Sequence, residues 1–178
     1  MGPFPHDAPK SQITAETPAG TDGFEFVEFA SSDPQALRDV FTKMGYAHVA
    51  NHKTKKIELW QQGDITYVLN HDPESFAARF VEEHGPCAPS MGWRVVDAQK
   101  ALEHAVAKGA EEYKGDGKVL DVPAIMGIGG SLIYFVDQYY DTSPYNWEYD
   151  WIATSKPEGV GFYYLDHLTH NVHKGNMD

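Results

Sequence analysis

The chain has 178 residues, 42% hydrophobic and 22% charged, which suits one globular domain burying roughly 70% of its unfolded surface. Asp and Glu outnumber Lys and Arg by 26 to 14, and the net charge of −12 argues against nucleic acid or an anionic membrane surface as a partner. The single cysteine, Cys87, excludes an intramolecular disulfide, no apolar run approaches the ~18 residues of a membrane span, and the N-terminus lacks a signal-peptide pattern, so the expected location is the cytoplasm.

Residues 1–22, rich in Pro, Thr, Ala and Gly without periodicity, read as a flexible N-terminal tail. From Gly23 the pattern changes. Phe24, Phe26, Val27 and Phe29 predict a short strand, and Asp33-Pro34 supplies an N-cap with proline at the first helical position. Ala36, Leu37, Val40, Phe41 and Met44 then recur at helical spacing up to Gly45. Ile57–Gln61 and Ile65–Leu69 predict two strands joined by a tight hairpin through Gln62-Gly63-Asp64. A connecting helix is expected near Ser75–His84, and Cys87 is placed in a Gly-Pro-Cys-Ala-Pro loop as a structural thiol. Trp93–Val96 predicts a strand, Asp97 a cap, and Ala101, Leu102, Ala105 and Val106 one face of a helix closed by Lys108-Gly109. Gly127–Gly130 lacks the Lys-Ser/Thr and the following helix of a phosphate loop, so it reads as a turn before the strand Leu132–Val136.

The two halves superimpose in sequence. Ala36-Leu37 and Lys43 match Ala101-Leu102 and Lys108 at an offset of 65, and residues 63–70 match residues 130–137 at an offset of 67. A duplicated strand–helix–strands unit is the simplest account. The boundaries follow: a domain over residues 23–154, with one module at about 23–85 and another at about 90–140. The aromatic, acidic stretch from Tyr139 to Trp151 lacks the basic residues of a base-stacking platform and reads as a surface or interface strand.

Residues 155–161 read as a linker, and Phe162–Val172 as the first strand of a third copy, with Leu165–Leu168 falling where Phe26–Phe29 sits in the first. The terminal histidines admit several readings. Spaced by three, His167, His170 and His173 would share a helix face; on a strand, His170 would point away from the other two. They can equally be ordinary polar residues, or His167 alone can be a metal ligand. His48, His52, His71, His84 and His104 are scattered, with no carboxylate at ligand spacing, and solvated positions are expected for them. No Ser/His/Asp or Cys/His arrangement is visible.

The segments GTDGFEFVEFAS at 20–31, QGDITYVLN at 62–70, IGGSLIYFVD at 128–137 and, above all, LDHLTHNVHKGNMD at 165–178 resemble the amino-terminal half of bacterial 4-hydroxyphenylpyruvate dioxygenases. The resemblance implies an α+β, vicinal-oxygen-chelate fold of the glyoxalase/bleomycin-resistance type, with two tandem βαβββ modules forming an open barrel. It implies a non-haem iron(II) enzyme of tyrosine catabolism, acting on 4-hydroxyphenylpyruvate and O2 to give homogentisate and CO2, as a homo-oligomer. By match to the family's DH motif, His167 is the first iron ligand; His170 is not carried over. The second histidine and the glutamate belong to the family's later half. Residues 155–178 are therefore expected to be a linker and the first strand of an absent catalytic domain, and this chain to be inactive alone. The position matching His167 in the first module is Glu28. Two other functions stay open: the sibling hydroxymandelate synthase reaction, and a non-catalytic binding or scaffold module of the same fold.

Overall fold

The computed structural model describes residues 9–152, 159–172 and 174–175. Strand β1 (Thr21–Ala30) is followed by helix α1 (Pro34–Lys43) and strands β2 (Ala47–His52), β3 (Ile57–Gln62) and β4 (Ile65–Asn70). Helix α2 (Phe76–His84) leads to β5 (Cys87–Val95), helix α3 (Ala98–Ala107), β6 (Ala124–Met126) and β7 (Leu132–Val136). A short helix α4 (Tyr145–Glu148) and β8 (Tyr149–Trp151) complete the α-helices and strands among the described residues.

Local chemistry explains the helix ends. Asp33 Oδ1 accepts from Gln35 N at 3.1 Å, satisfying a donor that the helix leaves free, and Gly45 turns the chain out at φ 85°. Ser75 Oγ and Asp97 Oδ1 accept in the same way at the starts of α2 and α3, both at 3.0 Å.

All eight strands form one sheet in the order β6-β7-β5-β1-β4-β3-β2-β8. On one side of the β1–β5 junction the run is β1 parallel to β4, then β3 and β2 antiparallel. On the other it is β5 parallel to β7, then β6 antiparallel. Val27 sits opposite Tyr67 and Gly92 opposite Tyr134. Helices α1 and α3 cover one face. Phe41, Trp60, Ile65 and Leu69 pack under α1, and Val95, Ala101, Leu102 and Phe135 under α3. The opposite face carries Phe26, Leu59, Val68, Leu132 and Tyr134 and is filled by Leu120, Tyr145 and Tyr149 from the connections.

Several elements differ from the sequence expectation. Strand β2 was not expected, because His48, Asn51 and His52 dilute its apolar pattern; it is held between β3 and β8. Strand β5 starts at Cys87, well before Trp93, so Cys87 pairs opposite Ala30 rather than lying in a loop; Pro89 disguises the strand. Of the aromatic stretch expected to be a surface strand, Tyr149–Trp151 is edge strand β8 with Asp150 and Trp151 exposed, whereas Tyr139, Tyr145 and Tyr149 are buried. Of the segment expected to be a tail, residues 9–20 are described. There Ser11 N donates to Asp22 Oδ1 at 3.0 Å, Val96 N donates to Gly20 O at 2.9 Å, and Ala19 packs beside α3.

Candidate functional site

His167 lies in a segment, 162–172, that belongs to no strand or helix, and its side chain is 73% exposed. Its Nδ1 is 2.8 Å from Asp166 Oδ2, which fixes the ring's orientation against one carboxylate. His170 is exposed, and His173 lies outside the described residues. Among the described residues no group of three His, Cys, Asp or Glu side chains is gathered to hold a metal ion. At His167 the described residues offer one imidazole and its neighbouring carboxylate. The segment is nonetheless anchored. Gln62 Oε1 accepts from Val160 N at 2.6 Å and from Phe162 N at 3.3 Å, while Asp64 N donates to Tyr163 O at 2.6 Å. Gln62 is itself fully buried, and its Nε2 donates to Met44 O at 2.9 Å.

The sheet face opposite α1 and α3 holds a second constellation. Between Phe24 and Phe26, β1 advances two residues while β5 advances one, from Trp93 to Gly92. The bulge sends Phe24 to the ring of Trp93 and turns Glu25 toward Arg94. Arg94 Nε donates to Glu25 Oε2 at 2.6 Å, and Nη1 donates to Asp64 Oδ2 and to the Tyr140 hydroxyl, both at 2.9 Å. Arg94 and Glu25 are almost completely buried. Burial pushes the Glu25 carboxyl up to about 7 despite the opposing pull of Arg94; the two carboxylates hold the guanidinium firmly charged. These groups border a cavity of about 390 Å³, with Gln61, Thr66 and Tyr145 among the other walls. The buried Tyr145 hydroxyl has no hydrogen-bond partner among the described residues.

Further along the same face Glu28 is fully buried, accepting from Asn70 Nδ2 at 2.7 Å and from the Ser90 hydroxyl. Burial raises its carboxyl above the usual range, and no cation among the described residues pairs with it directly. Its carboxylate is thus hydrogen-bonded within the interior. Sequence reasoning missed a third cluster. His48 and His71 are not simply solvated: His71 Nε2 lies 3.1 Å and His48 Nε2 4.0 Å from the carboxylate of Glu58, which also accepts from Arg38 Nε at 3.1 Å. The residues come from β2, β3, α1 and the end of β4, so no local spacing announces them.

No helix among the described residues is long and apolar enough to cross a membrane. The model of the amino-terminal domain of hydroxyphenylpyruvate dioxygenase, HPPD, matches residues 15–151. Hemolysin VllY of Vibrio vulnificus is 46% identical over 175 residues, covering 93% of this chain and 49% of that protein. The 4-hydroxyphenylpyruvate dioxygenase of Pseudomonas aeruginosa is 42% identical over 176 residues, covering 94% of this chain and 49% of that enzyme. The solved structure of a xylose isomerase-like TIM barrel/4-hydroxyphenylpyruvate dioxygenase fusion protein superposes with a TM-score of 0.73 at 32% identity, over 93% of this chain and 25% of that one. The chain thus spans about half the length of the curated relatives it matches. The unclosed eight-stranded sheet is the vicinal-oxygen-chelate fold. With the match running from residue 15 to residue 151, this chain belongs to the family of hydroxyphenylpyruvate dioxygenase amino-terminal domains.

Proposed function

We propose that this chain is the amino-terminal half of a non-haem iron(II) dioxygenase that converts 4-hydroxyphenylpyruvate and O2 to homogentisate and CO2, and that it does not turn over alone. The observation that carries this reading is the 42% identity to a 4-hydroxyphenylpyruvate dioxygenase across 94% of the chain. In it, His167 is one iron ligand, held beside Asp166, and the remaining ligands come from the later half of the family's fold. A single imidazole gives neither the affinity nor the three-cornered geometry that such chemistry needs. Residues 23–154 serve as a duplicated packing domain in a cytoplasmic homo-oligomer. The like order of parallel and antiparallel pairing on the two sides of the β1–β5 junction supports the duplication.

The test uses this chain and a polypeptide continuing it into the family's later half. The chain alone should form no detectable homogentisate; robust turnover by it overturns the missing-ligand argument. In the longer polypeptide His167→Ala should lose iron, measured by metal analysis, while the first domain keeps its melting transition; normal iron content removes His167 from the site. The aromatic product decides between homogentisate and the hydroxymandelate of the sibling reaction. A stand-alone binding module of the same fold is the second reading, favoured by the cavity formed wholly within this chain; it predicts ligand binding with no oxygenase activity in either polypeptide.

A further inference from the structure

A cavity of about 390 Å³ lies within the range of roughly 300–1,000 Å³ occupied by small-molecule sites. It lies on the sheet face opposite α1 and α3, and the oxygenase reading gives it no task. Arg94, 4% exposed, is the cation in its wall. Its Nε is spent on Glu25 and its Nη1 on Asp64 and the Tyr140 hydroxyl. Nη2, with the guanidinium's remaining donors, meets no acceptor among the described residues. Glu25 mirrors this arrangement: Oε2 accepts from Arg94, and Oε1 has no partner among the described residues. Neither atom is sealed as the Trp93 indole nitrogen and the Tyr145 hydroxyl are, so both open on the cavity.

Burial pushes the Glu25 carboxyl up to about 7, and the proton it holds sits on Oε1, the oxygen that Arg94 leaves free. In that state Glu25 is neutral and Asp64 is answered by Arg94. Two donors, Nη2 and the carboxyl O–H, are then left without an acceptor. A carboxylate suits both, because charge-assisted hydrogen bonds are the stronger kind and a guanidinium matches carboxylate geometry. Around this polar floor the walls are aromatic: Tyr140, Tyr145 and Trp151. Tyr140 takes a left-handed backbone conformation, φ 56°, with its ring 4.6 Å from the guanidinium.

We propose that this cavity binds a small aromatic monocarboxylate, its oxygens accepting from Arg94 Nη2 and the Glu25 carboxyl and its ring seated against Tyr140, Tyr145 and Trp151. A cation is disfavoured, because it would meet the free end of the guanidinium. A doubly charged group such as phosphate is disfavoured too, because Asp64 already engages Arg94 and Asp141 also borders the cavity. The titratable or charged groups sharing the cavity with Glu25 are Arg94 from β5, Asp64 from the β3–β4 hairpin, and Tyr140, Asp141 and Tyr145 from the connection after β7. As pH rises through about 7 the Glu25 proton is lost and its carboxylate repels the ligand, so affinity falls.

The probe is benzoate, titrated into the full chain by calorimetry and by chemical-shift mapping, beside benzylamine and benzamide. No iron is added, so failure here leaves the oxygenase reading standing. Benzoate should saturate, moving the amides of residues 61–66, 94 and 140–146 and the side-chain Nη resonances of Arg94. At about pH 6 it should bind at least about tenfold more tightly than benzylamine, with benzamide between them. From about pH 6 to about pH 8 its affinity should fall about tenfold. Glu25→Gln keeps a donor in place, so it should still bind benzoate, with an affinity that no longer changes over that range. Trp151→Ala, on an exposed edge strand, should keep the parent's melting temperature and lose about three- to tenfold in benzoate affinity. Absence of saturable binding at about 10 mM benzoate, above the weakest affinities worth calling a site, overturns the proposal. So does equal affinity for benzylamine, an affinity indifferent to pH in the parent, or shifts mapping elsewhere on the chain.

Discussion

Glu25 shows how one inserted residue creates chemistry. Without the bulge it would follow the alternation of β1 and point toward α1 and α3; with it, the carboxylate meets Arg94 at 2.6 Å with both side chains buried. The folded chain holds the Glu25 proton up to about pH 7, against an ordinary value of 4.5. The native state is thus the one that binds more protons between these values, so this group's contribution is intact below about 4.5 and lost as pH rises through about 7. Glu25→Gln should flatten that part of the profile: melting temperature should fall less steeply between pH 4.5 and 7 than in the parent. An unchanged slope means Glu25 is not the proton carrier. No feature of the sequence run FEFVEF announces the bulge, since its residues alternate acceptably either way. The pairing of Glu25 with Arg94 spans 69 positions and is set by register alone.

At the scale of elements, what was legible is what local chemistry decides. Asp33-Pro34, Ser75 and Asp97 mark helix starts because a side-chain oxygen must satisfy free amides there, and Gly63 marks the hairpin because its φ of 58° suits no β-branched residue. Strands β2 and β6 were not legible, and β8 was legible only as the end of a longer expected strand over Tyr139–Trp151. They are short and derive their order from neighbours, β6 from β7 and β8 from β2. Strand β5 was half legible, and its Gly92 has a packing reason that no propensity reveals: a methyl group there would overlap the ring of Phe26. Gly92→Ala should therefore destabilise the chain by about 1–3 kcal/mol, the usual cost of overpacking, in urea or thermal unfolding. A neutral effect would mean that Phe26 has room to move. Ala30, opposite Cys87 on the same strand pair, serves as a control site.

For the whole molecule, two helix-covered runs joined edge to edge at β1 and β5 leave one broad sheet face to be filled from the connections. Of the two sequence matches, the one at an offset of 67 lies on strands, and the ladders pair its Tyr67 with Val27 and its Tyr134 with Gly92; the one at 65 lies on α1 and α3. The aromatic stretch was only partly legible, because acidic neighbours such as Glu148 and Asp150 made buried tyrosines look solvated; the single turn of α4 running straight into β8 puts Tyr145 and Tyr149 inward while Asp150 stays outside. His167 stands out in the sequence only through the DH motif of the resemblance, and its surroundings cannot be inferred from a lone strand-like run, which is marginal without partners. What holds the segment is Gln62. Gln62→Ala should free residues 160–164, raising their amide exchange by about tenfold or more relative to β3 and β4, because two backbone donors lose a buried acceptor. Unaltered protection would show that Asp64 N alone suffices.

Asp64 is a rocker with two arms. Its amide grips the carbonyl of Tyr163, three residues ahead of Asp166, while its carboxylate grips the guanidinium in the sheet's interior. One residue, with a single Cα between its two grips, therefore ties the backbone leading to His167 to the buried charge trio of the sheet.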